Sequence, residues 1–125
     1  MFRIIKTYYK IIIWVIVIAF LCFTPGNDLQ KIKIPIPHFD KLVHFTMFYI
    51  LGLLISGKKN SLNVISILWL YILAVIYGGI IEIVQLNWIY MRSGDVVDWL
   101  FDLIGLLLAW KTFAYYPLLL QKGLK

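Results

Sequence analysis

Leu62 to Trp88 reads LNVISILWLYILAVIYGGIIEIVQLNW, and in those 27 residues Glu82 is the only charged side chain. As a helix rising 1.5 Å per residue the segment is roughly 40 Å long, more than the ~30 Å of a hydrocarbon core. It is predicted to cross a bilayer with tilt or overhang. A carboxylate in such a segment is expensive and marks a site. Gln85 follows Glu82 at i+3 and shares its face. Gly78-Gly79, one turn earlier, would let another helix come close beside that carboxylate.

Outward from this segment the pattern repeats. Arg92-Ser93-Gly94 reads as a tight turn, and a helix over about residues 95–112 carries Asp95, Asp98 and Asp102. At 100° per residue these three carboxylates lie within roughly 60° of one another, on one face. They cannot all be ionised in lipid without facing cations or donors, so either one is protonated or positive groups meet them. Asp95 also suits a helix cap. Upstream, a helix over about residues 40–57 opens on Asp40, Lys41 and His44, whose i, i+3 and i+4 spacings put His44 on the side of both charges. Asp40 is well placed to cap that helix and Lys41 to snorkel. His44 sits among Leu42, Val43, Phe45 and Met47, where it can donate to a carboxylate or bind metal.

The remaining apolar run, Ile11 to Phe23, follows Arg3, Lys6 and Lys10. It resembles a signal peptide's charged and apolar regions, but Thr24-Pro25-Gly26-Asn27 replaces the small-residue cleavage site. A retained spanning helix over about residues 8–25 is expected, with Tyr8 and Tyr9 as interfacial anchors. The chain is 62% hydrophobic and 14% charged, with a mean hydropathy of +0.89. Soluble domains run near 45–50% apolar and about 25% charged. The expected fold is therefore all-α: one membrane domain over residues 1–125, four transmembrane helices in one bundle. Cys22 is the sole cysteine, which rules out an intrachain disulfide.

Lysine and arginine set the orientation. With the N-terminus in the cytoplasm, Arg3, Lys6, Lys10, Lys58, Lys59, Lys111, Lys122 and Lys125 fall inside, and Lys31, Lys33, Lys41 and Arg92 outside. Eight against four favours both termini inside. All six acids then fall on the extracytoplasmic half. The net charge of +6 is thus a topology signal, and nucleic acid is not an expected partner. Small residues at four-residue spacing, Gly52/Ser56 and Gly105/Ala109, predict close helix approach.

The spans should gather Asp40, Lys41, His44, Glu82, Gln85, Arg92, Asp95, Asp98 and Asp102 into one polar pocket, with Arg92 as the obvious partner for Glu82. Five carboxylates there face two fixed cations, an excess that invites a proton, a divalent cation or a cationic ligand. Three readings follow: a non-enzymatic binder of a lipid headgroup, cell-wall precursor or cation; a membrane-embedded enzyme using His44 and one protonated carboxylate; or a proton- or ion-coupled transporter built by oligomerisation. Ser93 and Thr46 have no base argued beside them as nucleophiles, so the enzyme reading is the weaker.

The polar positions together, Asp40-Lys41-x-x-His44, Gly-Gly-x-x-Glu82-x-x-Gln85 and Arg92-x-x-Asp95-x-x-Asp98-x-x-x-Asp102-x-x-Gly105, resemble the VanZ-like membrane proteins over about residues 35–115. Family members often carry Asn where Asp102 stands, so the charge of this site departs from theirs. The resemblance implies a small multi-pass protein of the bacterial cytoplasmic membrane acting at the cell envelope, with membrane lipid or a lipid-linked cell-wall precursor as partner. The family's namesake is associated with low-level teicoplanin resistance. Most relatives occur outside resistance clusters, so that property does not extend to this chain by resemblance.

Overall fold

A computed structural model of the chain describes residues 1–24, 39–58, 61–89 and 96–115, with residues 113–115 described by backbone alone. Among them are four helices and no strands: α1 Phe2–Cys22, α2 Phe39–Ser56, α3 Val64–Trp88 and α4 Val96–Tyr115. The all-α expectation holds. The boundaries differ from it where the chain offers no break. Nothing from Phe2 to Tyr8 interrupts a helix, so α1 starts six residues earlier than expected. It stops ahead of Pro25, which has no N–H and disfavours α backbone in the residue before it. The Phe23 N–H reaches the Ala19 carbonyl at 2.9 Å, and the Thr24 hydroxyl donates to the Phe20 carbonyl at 2.8 Å. Both serve carbonyls that a helix end leaves open. At the start of α3 the Asn63 side chain accepts from the Ser66 N–H at 2.8 Å, a regular N-cap. At its far end α4 runs past residue 112 to Tyr115, because the first helix breaker is Pro117.

Cross-helix contacts fix the directions. Tyr77 of α3 donates to the Val15 carbonyl of α1, and Gln85 to that of Cys22, so both numbers rise together and α1 and α3 run parallel. Lys41 meets Asp98, His44 meets Asp102 and Tyr49 meets Thr112, so α2 and α4 are also parallel. Tyr71 donates to the Gly52 carbonyl while His44 lies near Glu82, which makes α2 and α3 antiparallel. The result is an up-down-up-down bundle. Its one end collects the C-termini of α1 and α3 with the N-termini of α2 and α4.

α2 is the central helix. His44, Met47, Phe48, Leu51, Gly52, Ile55 and Ser56 form a continuous buried stripe at helical spacing. Its closest partner is α4, and small residues set that distance. A Cβ on Gly105 would fall 2.5 Å from the Phe45 carbonyl oxygen and 3.0 Å from the Tyr49 nitrogen; one on Gly52 would fall 2.5 Å from the Ala109 Cβ. Backbone atoms cannot rotate away. Gly105→Ala is therefore expected to lower stability by about 1–3 kcal/mol through forced separation of α2 and α4. Gly79→Ala, whose Cβ would meet nothing closer than 3.5 Å, should be neutral or better. SDS-unfolding midpoints of the two variants in detergent check the pair, and equal midpoints would remove close packing as the cause.

The surface is the reverse of a soluble protein's. Ile12, Ile16, Trp69, Ile76, Ile83 and Leu107 are exposed, while His44, Glu82, Gln85, Asp98 and Asp102 are buried. α1, α2 and α3 are long and apolar enough to cross a membrane, with mean hydropathies of 2.0, 1.4 and 2.4. α4 is not among them by composition, since Asp98, Asp102 and Lys111 interrupt it.

Aromatic side chains stitch the helices together. The Trp14 indole donates to the Met47 carbonyl at 2.9 Å, Trp99 to that of Val75 at 3.0 Å, and Tyr77 to that of Val15 at 2.6 Å. Each helical carbonyl already accepts one bond and keeps a second lone pair, so an apolar interior can satisfy these donors without water. Lower in the bundle Tyr71 donates to the Gly52 carbonyl, which leaves the Ser56 hydroxyl to donate to Tyr71 at 2.6 Å.

Candidate functional site

The buried stripes of three helices turn polar at the same end. On α3 the stripe through Ile67, Tyr71, Ala74, Gly78 and Ile81 ends in Glu82 and Gln85. On α4 the stripe through Ala109, Leu106 and Gly105 ends in Asp102 and Asp98. On α2 it ends in His44, with Lys41 one turn nearer the helix start. Antiparallel packing of α3 against α2 and α4 then brings these ends together.

Lys41 Nζ lies 2.9 Å from Asp98 Oδ1 and 3.6 Å from Asp40 Oδ2. One turn deeper, His44 Nδ1 lies 3.0 Å from Asp102 Oδ1 and 3.7 Å from Glu82 Oε1. The four inner groups are buried: His44 is 3% exposed, Glu82 8%, Asp98 4% and Asp102 1%. Asp102 Oδ2 makes no hydrogen bond among the described residues. It abuts Gly78, where a Cβ would come within 3.0 Å of it and 3.2 Å of the Trp99 ring. Gly78 is thus the seat that lets a carboxyl of α4 touch the backbone of α3. The positive ends of α2 and α4 lie at this same end of the bundle, which favours carboxylates in their first turns.

Five of the nine expected residues form this cluster: Lys41, His44, Glu82, Asp98 and Asp102. Asp40 belongs to its rim. The helix begins one residue earlier, at Phe39, so Asp40 sits inside the first turn rather than capping it, and its side chain is 55% exposed. Gln85 is buried but faces α1. Its amide donates to the Cys22 carbonyl at 2.8 Å, one of the carbonyls left open where α1 ends. Lys41 forms an ion pair rather than only snorkelling. Arg92 and Asp95 lie outside the described residues, and with them the expected Arg92–Glu82 pair and the Asp95 cap.

Two neighbours escaped the sequence reading. Trp99 and Phe48 flank the Asp102 carboxyl at Gly78. Trp99 precedes Asp102 by three residues, so its place on the same side of α4 was readable as spacing. Phe48 bears no such signal, being one apolar residue among many.

The spacing of the polar atoms limits what the cluster can do. Lys41 with Asp98 and His44 with Asp102 are in direct contact at 2.9 and 3.0 Å, and His44 lies 3.7 Å from Glu82, so no phosphate-sized group fits between these atoms. Larger grooves lie elsewhere. One of about 500 Å³ between α3 and α4 is lined by Leu68, Tyr71, Val75, Leu103, Leu106 and Trp110 among others; another follows α1 at Ile16 and Phe20. Both are apolar, and neither includes a residue of the cluster. Thr46, the nearest described hydroxyl in sequence to His44, donates to the Leu42 carbonyl at 2.8 Å from the exposed side of α2. A nucleophile beside the imidazole is therefore not supplied by Thr46. No protein-family model, curated protein or solved structure matches the chain.

Proposed function

We propose that the chain is a VanZ-like, four-span protein of the bacterial cytoplasmic membrane that binds a positively charged ligand. Both termini lie in the cytoplasm, and the cluster opens to the extracytoplasmic side. Two observations support the span count and orientation. α4 has 20 residues, about 30 Å of helix, and its two acids face inward with an apolar outer surface at Leu100, Ile104 and Leu107. The Lys/Arg bias puts Lys58, between α2 and α3, on the cytoplasmic side and hence the cluster outside. The VanZ-like assignment rests on the polar motifs, of which the five clustered residues are the core.

A single observation carries the ligand's sign. Three buried carboxylates, Glu82, Asp98 and Asp102, face one lysine and one imidazole. Counted over the described residues, even a protonated His44 leaves one negative charge over, which a proton or a cation can neutralise. A free cation or the ammonium of a lipid headgroup would do so. A phosphate would add to the excess, and Lys41 is already engaged by Asp98.

Thermal unfolding of the purified protein in detergent tests this. Divalent cations, phosphatidylethanolamine, phosphatidylglycerol and a polyprenyl phosphate are added separately. At 100-fold saturation a ligand stabilises by about 2.7 kcal/mol. A rise with the cations or the ethanolamine lipid is expected, and its loss in Asp98→Asn and Glu82→Gln. Stabilisation by the anionic lipids alone would overturn the proposal.

A further inference from the structure

We propose that the apolar groove between α3 and α4 binds one anionic phospholipid, with an acyl chain lying between the two helices and the phosphate held at Lys111. The site is at the opposite end of the bundle from the cluster. It does not depend on what binds there. With the topology proposed above, the lipid belongs to the inner leaflet.

The groove, about 500 Å³, has a blind end and a mouth. Along α4, Trp99, Leu103, Leu107 and Lys111 recur at four-residue spacing and share one face. Leu103 and Leu107 line the groove. Trp99 closes the blind end, where its indole donates at 3.0 Å to the carbonyl of Val75 on the opposite wall. Lys111 is exposed and stands one turn past Leu107, at the mouth. On α3 the wall runs from Val75 back to Leu68, toward the helix start at Val64. Seven residues of helix make this about 10 Å long, which suits a chain entering from one leaflet of a ~30 Å core. The walls are apolar throughout. Tyr71 turns its hydroxyl away to the Gly52 carbonyl and Ser56, and presents only its ring, against which Trp110 packs edge-on at 5.1 Å. Leu68, Ile72, Ile76 and Leu107 are exposed, so the groove opens sideways into hydrocarbon.

Charge selects the headgroup. From Lys41 to Ile81, and from Leu103 to Lys125, the sequence holds no acidic residue. The stretches that flank the mouth, 57–63 and 111–125, carry Lys58, Lys59, Lys111, Lys122 and Lys125. Neither Lys58 nor Lys111 makes an ion pair among the described residues. A phosphate arriving at this end therefore meets cations only. The ammonium of a zwitterionic headgroup would find no acidic side chain to pair with, so a phosphatidylglycerol is favoured over it. The stem of Lys111 continues the apolar stripe of Leu103 and Leu107 and carries its ammonium to headgroup level. Trp110 lines the mouth, an amphipathic ring of the kind that gathers at a membrane interface.

The test titrates the full chain in detergent with phosphatidylglycerol, with phosphatidylcholine of the same acyl chains, and with glycerol phosphate. Native mass spectrometry reads bound lipid, and circular dichroism reads the fold. One phosphatidylglycerol per chain is expected, held more tightly than phosphatidylcholine. Lys111→Gln should weaken it about fivefold. Leu107→Trp should fill the groove and abolish binding with the fold intact; if that variant proves unstable, Ile72→Phe on the opposite wall gives the same reading. Phosphatidylcholine bound as tightly would overturn the site by removing the role of charge. Glycerol phosphate that competes as well as the lipid would overturn it by removing the role of the chain. Affinities unchanged in both Lys111→Gln and Leu107→Trp would overturn both roles. Asp98→Asn, at the far end, separates this site from the cluster. Phosphatidylglycerol binding should survive that change, and its loss in a folded Asp98→Asn protein would move the lipid to the cluster and sink the groove.

Discussion

Lys41→Met is expected to lower the stability of the bundle by about 3–5 kcal/mol, because it leaves the Asp98 carboxylate buried without its ammonium. The methionine keeps most of the apolar stem that Lys41 lays along α2, so lost packing is not the cause. The reverse change is much milder. In Asp98→Asn the lysine keeps Asp40 at 3.6 Å, and its long stem can carry the ammonium to the membrane interface. A cost of about 1 kcal/mol, that of an ordinary hydrogen bond, is expected. The double variant should recover most of what Lys41→Met loses. SDS-unfolding midpoints in mixed micelles give the cycle, with a coupling energy of at least ~1.5 kcal/mol expected of a close buried pair. Additive effects of the two single changes would show that the contact does not couple α2 to α4.

His44→Leu is the second large effect, again about 3–5 kcal/mol. It removes the imidazole that contacts Asp102 Oδ1 at 3.0 Å, and leaves that buried carboxyl without a hydrogen-bond partner among the described residues, beside Phe48 and Trp99 at Gly78. His44→Leu with Asp102→Leu should approach wild-type stability, since a buried pair replaced by apolar side chains of similar volume is commonly neutral. Asp102→Asn alone should cost less than about 1 kcal/mol, because the amide oxygen still accepts from His44. Folding would then tolerate Asn at this position, while the charge available to a ligand falls. A His44→Leu variant as stable as the wild type would mean that Asp102 is satisfied by some group other than the imidazole.

How much of this could be read from residues alone varies along the chain. Three of the four helices, α1, α2 and α3, were legible as long apolar runs, whose backbone would have no other way to satisfy its polar groups in lipid. Their ends were legible only where a breaker stood close: Pro25 stops α1 within three residues, while α4 runs on toward Pro117. Lys41, His44, Glu82, Asp98 and Asp102 were legible as a site because each is an ionisable group on a buried stripe. Their pairing was not. Glu82 faces His44, and this depends on the register of α3 against α2, which is set by small-residue contacts and aromatic bonds such as Tyr71 to Gly52. Gln85 shows the limit from the other side. Its spacing from Glu82 put it on the right helix face, but the open carbonyl of Cys22 draws its amide toward α1.

The proposed topology puts the cluster at the outer end of a bundle that crosses the membrane four times. Cys22, the sole cysteine, is buried, so single cysteines can be introduced with little background. Membrane-impermeant maleimide applied to intact cells, then to permeabilised ones, is the direct measurement. Ser93→Cys, between α3 and α4, is predicted to react in intact cells, and Lys58→Cys and Lys125→Cys only after permeabilisation. The opposite pattern would put the acids on the cytoplasmic side. Reaction of Ser93→Cys and Lys125→Cys from the same side would mean that α4 does not cross, and the four-span account would be wrong.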